Sequence, residues 1–135
     1  MKTYITLIKQ VKSEIEMRQK ALNQVHRDKT NLEQQIDHML ETFQREQIEV
    51  SMHKVFFNPK YFDRISNKIK VYRNLLQSKL DELQVLQDEI LTLFSKRKQY
   101  ETLLKNYEEM IALERKKKEA QDLEDLFRPA AKSKT

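Results

Sequence analysis

Apolar residues recur every seven positions along this chain, in two stretches separated by one break. Stepping from Ile8 by sevens gives Ile8, Ile15, Leu22, Lys29, Ile36, Phe43 and Val50. A companion line reads Tyr4, Val11, Arg18, Val25, Leu32, Met39 and Glu46. Two such lines stay on one side of a helix only if the helix supercoils against a partner, so the pattern predicts a coiled-coil helix over about 3–53. The second stretch repeats the pattern independently. Its main line is Phe62, Ile69, Leu76, Leu83, Ile90, Arg97, Leu104 and Ile111. Its companions are Ile65, Tyr72, Lys79, Leu86, Leu93, Tyr100 and Tyr107. Leu75, Leu80, Phe94 and Leu103 are expected to widen this apolar face locally.

The break falls at Asn58-Pro59. Proline has no backbone donor and disfavours the α region for its predecessor, so a helix continuous through it would lose ~3 kcal/mol. Asn58 reads as an N-cap and Pro59 as the first residue of a second helix over about 59–127, with a turn at 54–58. The seams on either side are each about 70 Å long at ~1.5 Å per residue, so folding back at the break lays one along the other. The expected fold is all-α: two long helices forming an antiparallel coiled-coil hairpin over 1–127, with Ile8 near Leu104 and Leu22 near Ile90. Charged seam residues are read either as register locks or as long side chains snorkelling out. The lock pairs expected are Lys79 with Glu33, Arg97 with Glu14 and Glu16, and Lys29 with Asp81 and Glu82.

Helix two outruns its partner. Beyond Ile111, the residues Leu113, Ala120, Leu123 and Phe127 continue a thin apolar line that helix one does not reach. This C-terminal helical overhang suggests docking to another protein, and its bland alternative is a frayed, solvated helix end. The run Arg115, Lys116, Lys117, Lys118 either solvates that helix or meets an acidic partner surface. Residues 128–135, opening with Arg128-Pro129, are expected to be a disordered tail.

Composition narrows the chemistry. The chain has no glycine, no cysteine and two prolines, with 35% charged residues against 39% hydrophobic. Without glycine there is no P-loop, dinucleotide turn or nucleophile elbow, and without cysteine no disulfide or thiolate metal site. His26, His38 and His53 lack a second histidine three or four residues away, so no helical metal pair is expected. Acid pairs such as Asp88-Glu89 have no cavity in a two-helix coil that would perturb them. No catalytic site, cofactor, metal or small-molecule substrate is expected. No apolar run suits a signal peptide or membrane span, so the expected location is the cytoplasm, without direct membrane insertion.

Net charge is +5 and unevenly placed: residues 1–52 sum to zero, while 53–73 hold six basic residues and one acid. This basic region interleaves Phe56, Phe57, Tyr61 and Phe62 with Lys54, Lys60 and Arg64. The residues leave three readings open: a hydrophobic plug for the bend, a protein-docking surface, or a nucleic-acid surface. Nucleic acid is not the expected partner, given the small overall excess of charge.

Two local stretches add a family likeness, Lys60-Tyr61-Phe62-Asp63-Arg64-Ile65 and Asp122-Leu123-Glu124-Asp125-Leu126-Phe127 with its short basic tail. With the paired helices and the overshooting end, the chain resembles the stalk proteins of bacterial flagellar and type III secretion export ATPases, the FliJ and YscO type. The resemblance implies that the terminal end enters a hexameric export ATPase ring, through Leu113, Arg115, Lys116, Lys117, Lys118, Leu123 and Phe127. It also implies a contact between the hairpin tip and an export-gate membrane protein, through Phe57, Tyr61, Phe62, Ile69 and Arg73, with Ser66 at a matching position. The alternative is a structural or adaptor coiled coil that assembles with itself or with another helical protein.

Overall fold

The computed structural model describes residues 2–53 and 59–128. These form two α-helices, α1 (Lys2–His53) and α2 (Pro59–Phe127). The helices lie within a residue of the expected spans of about 3–53 and 59–127, and α2 opens on the proline whose fixed φ suits a first helical turn. The expected turn at 54–58 lies outside the described residues, as does the expected tail beyond Arg128. Arg128 itself reaches back to Asp125 at 3.8 Å.

The fold is an all-α antiparallel hairpin. Higher numbers on α1 meet lower numbers on α2: Arg18 contacts Glu89, Asp28 contacts Lys79, and Phe43 contacts Phe62. Contacts group the chain into two units, Glu14–Leu93 and the remainder. In the Glu14–Leu93 unit, α1 buries Ile15, Val25 and Ile36, while α2 buries Phe62, Ile69, Leu83, Ile90 and Leu93. Every one belongs to a heptad line. Leu22, Leu32, Met39, Leu76 and Leu86 fill the remaining layers, half-buried. In the other unit, Ile8 and Val11 are buried, with Tyr4, Leu7, Phe94, Tyr100 and Leu104 half-buried around them.

Burial follows the seven-residue lines closely. Of the seam positions on both helices only Tyr107 is exposed, at 37%. The widening expected from neighbouring leucines occurs at Phe94 alone; Leu75, Leu80 and Leu103 are exposed. Two helices offer each other one stripe apiece, and residues beside the stripe turn past the partner's edge. For the same reason no side chain among the described residues is wholly enclosed, and Ile15 retains 4% exposure. Each well-covered Ile or Leu still contributes roughly 1.5–3 kcal/mol.

The register differs from the expected one. Lys79 Nζ lies 3.7 Å from Asp28 Oδ2, five residues before Glu33 on α1. The Arg18–Glu89 contact carries the same displacement, since the expected register would set Glu89 near Asn23. Polar seam residues explain how this register is held, and the two lines behave differently. Those in the companion lines reach across: Arg18 Nε donates to Glu89 Oε2 at 2.9 Å, Lys79 pairs with Asp28, and Glu46 accepts from Tyr61. Each lands on the residue just before a main-line position, namely Ile90, Lys29 or Phe62. Main-line cations stay on their own helix instead. Lys29 pairs with Glu33 at 3.4 Å and Arg97 with Glu101 at 3.7 Å, one turn on. The Arg97 guanidinium also lies 5.0 Å from the Phe94 ring centre. The expected Lys29 and Arg97 locks are therefore replaced by local pairs, worth ~0.3–0.5 kcal/mol each.

Candidate functional site

Two regions hold the candidate residues, the C-terminal part of α2 and the stretch that opens it. The first is defined by loss of cover. Along α2, Leu93 is the last buried residue; Leu104 and Ile111 are half-buried, and every residue from Ala112 to Arg128 is exposed. Leu113 is 54% exposed and Phe127 79%. The helix persists to Phe127 without tertiary support, in a segment whose Ala, Leu, Glu, Lys, Arg and Gln favour helix strongly. All seven terminal candidates, Leu113, Arg115, Lys116, Lys117, Lys118, Leu123 and Phe127, therefore lie on exposed helix. Leu126, 76% exposed, lies on the same uncovered segment, and Met110, 50% exposed, stands just before it; neither is among the candidates expected from the sequence.

The opening of α2 is built differently. Phe62 and Ile69 are 8% and 6% exposed, turned into the hairpin core. Phe62 meets the Phe43 ring edge-to-face, with centroids 5.3 Å apart, and the Tyr61 ring at 5.5 Å. Their heptad positions decide this: a residue on the main line faces α1, so neither offers a surface to a partner. Of the expected tip residues, Tyr61 and Arg73 are exposed, and Ser66 is half-buried. Phe57 lies outside the described residues. Phe62 therefore packs against Phe43 in the core, while Phe56 and Phe57, the other aromatics of the expected bend plug, lie outside the described residues.

Tyr61 carries the most developed polar contact of this region. Its hydroxyl donates to Glu46 Oε1 at 2.7 Å, tying the start of α2 to α1. That bond to the carboxylate, with partial desolvation and the carboxylate's charge, raises the Tyr61 pKa above 10.0. On the next turns Lys68 Nζ lies 6.0 Å from the Tyr72 ring centre.

Among the described residues no group of three or more His, Cys, Asp or Glu is arranged to hold a metal ion. No helix among them is long and apolar enough to cross a membrane. Comparison with protein-family models, with curated proteins and with solved structures finds no match to the chain.

Proposed function

We propose that this protein is a non-enzymatic coiled-coil stalk or escort of a bacterial flagellar or type III export apparatus, acting in the cytoplasm through protein partners. The observation that supports this is the helical extension of α2 beyond the cover of α1, exposed from Ala112 to Arg128. A helix that keeps an exposed apolar line and a basic run beyond its own hairpin is suited to insertion into a ring of subunits. The ring would be a hexameric export ATPase, docked by Leu113, Arg115 to Lys118, Leu123 and Phe127. The export-gate contact is narrowed to Tyr61, Arg73 and their exposed neighbours, since Phe62 and Ile69 belong to the core.

The test is a pull-down and an ATPase assay with the purified export ATPase. The intact chain is expected to be captured and to stimulate hydrolysis; removal of residues 112–135 is expected to abolish both. Failure to capture the ATPase, or stimulation that survives the truncation, overturns the reading. A second reading, an adaptor coiled coil, draws support from Val71, Val85 and Leu91, each more than half exposed on α2. It predicts assembly with another helix through the middle of α2.

A further inference from the structure

The exposed end of α2 carries a basic block followed by an acidic one. Residues 115–118 are four consecutive cations, and within 119–125 lie four acids, Glu119, Asp122, Glu124 and Asp125. Ala120 sits close to their boundary. Leu113, Ala120 and Phe127 are spaced by seven and so line up along one face, with Lys117 and Glu124, also seven apart, together on one flank. None of these side chains is covered by α1.

We propose that this segment is a self-complementary surface whose occupant is a second copy of the chain, paired antiparallel about a two-fold axis through Ala120. That axis sets Leu113 against Phe127 of the second copy, and Phe127 against its Leu113. Ala120 meets Ala120, where the absence of a bulky side chain lets the backbones approach. The basic block of each copy then faces the acidic block of the other, with Lys117 opposite Glu124 on the shared flank twice over. A parallel pair has the opposite result: cations lie beside cations and acids beside acids. A two-fold contact of this kind is closed, since the same patch is used on both copies. Because the segment is short, the pairing is weak and salt-sensitive, in the range of transient interfaces. The pairing uses residues that the stalk reading assigns to the ATPase ring, so the two contacts exclude one another; the purified chain alone tests the pairing, whatever the outcome with an ATPase.

Sedimentation equilibrium of the intact chain over a wide concentration range, at low and at high salt, gives the first readout. A monomer–dimer equilibrium that weakens with salt is expected. K117E and E124K each place like charges together twice per dimer, so each is expected to weaken pairing roughly tenfold. The double variant K117E/E124K restores opposite charges and is expected to recover dimerisation. These exposed substitutions leave the hairpin intact, which circular dichroism checks. A spin label on F127C, in a chain without other cysteines, is expected to report a separation of roughly 21 Å, fourteen residues of helix. A monomer at every concentration, a double variant no better than the singles, or a label separation under about 10 Å, the usual spacing of packed helices, overturns the proposal.

Discussion

The Tyr61 hydroxyl donates to Glu46 Oε1 at 2.7 Å, joining α1 to the first turn of α2 across fifteen residues of chain. This bond favours the neutral phenol, and the sign of its pH dependence follows. Because the folded pKa is raised above 10.0, its contribution is fully present below the unfolded pKa. It is lost as pH rises through the higher folded value. Spectrophotometric titration of the phenols is expected to show one late tyrosine. Y61F should remove that late component, and E46Q should bring it back towards the ordinary value. An unchanged late component in Y61F would assign it to another tyrosine.

The register can be read by zero-length carbodiimide coupling, which joins only an amine and a carboxylate in contact. Lys79 and Asp28 lie 3.7 Å apart. The expected product links their two peptides, with no product joining Lys79 to Glu33. The reverse outcome would restore the register expected from the sequence lines.

Burial separates two groups of apolar residues by their effect on stability. I15A and I69A remove side chains enclosed by the opposite helix and are expected to cost about 2–4 kcal/mol each in chemical denaturation. At concentrations where the chain is monomeric, L126A and F127A lie on helix without tertiary cover and should change stability by less than about 0.5 kcal/mol. A large loss in F127A would mean that the extension is covered in solution.

Lys79 occupies a seam position and reaches out to Asp28 and to Glu82 at 3.6 Å. Its stem lines the interface while its ammonium stays near solvent, so K79L should add apolar burial and lose only a weak ion pair. A gain of about 1 kcal/mol is expected from denaturation midpoints. K79L that is less stable than the parent would show the ion pair to be worth more than the burial.

Much of this fold was legible because a heptad line is a direct record of burial. The phase of both seams, the break before Pro59 and the exposed end of α2 all follow from apolar spacing and one proline. Register was not legible, since apolar spacing scores many offsets alike. What distinguishes them is which polar partners meet: Arg18 with Glu89, Asp28 with Lys79, Glu46 with Tyr61. Half of each pair lies outside the lines, where single-helix periodicity carries no information. The exposure of the terminal end was legible because its apolar residues run past the end of the partner seam. At the tip, Phe62 and Ile69 stand on the main line and are buried there as that line predicts, so the gate contact that the family resemblance implies for them competes with their place in the core.

Ile15, the best-covered side chain among the described residues, still touches solvent at 4%, because a single layer of side chains has no third element behind it. Each rung of the hairpin is therefore supported by the rungs above and below it and by little else. Damage to one rung stays close to where it is made, so substitutions several turns apart should sum independently. Amide exchange is expected to be graded along the helices instead of failing all at once.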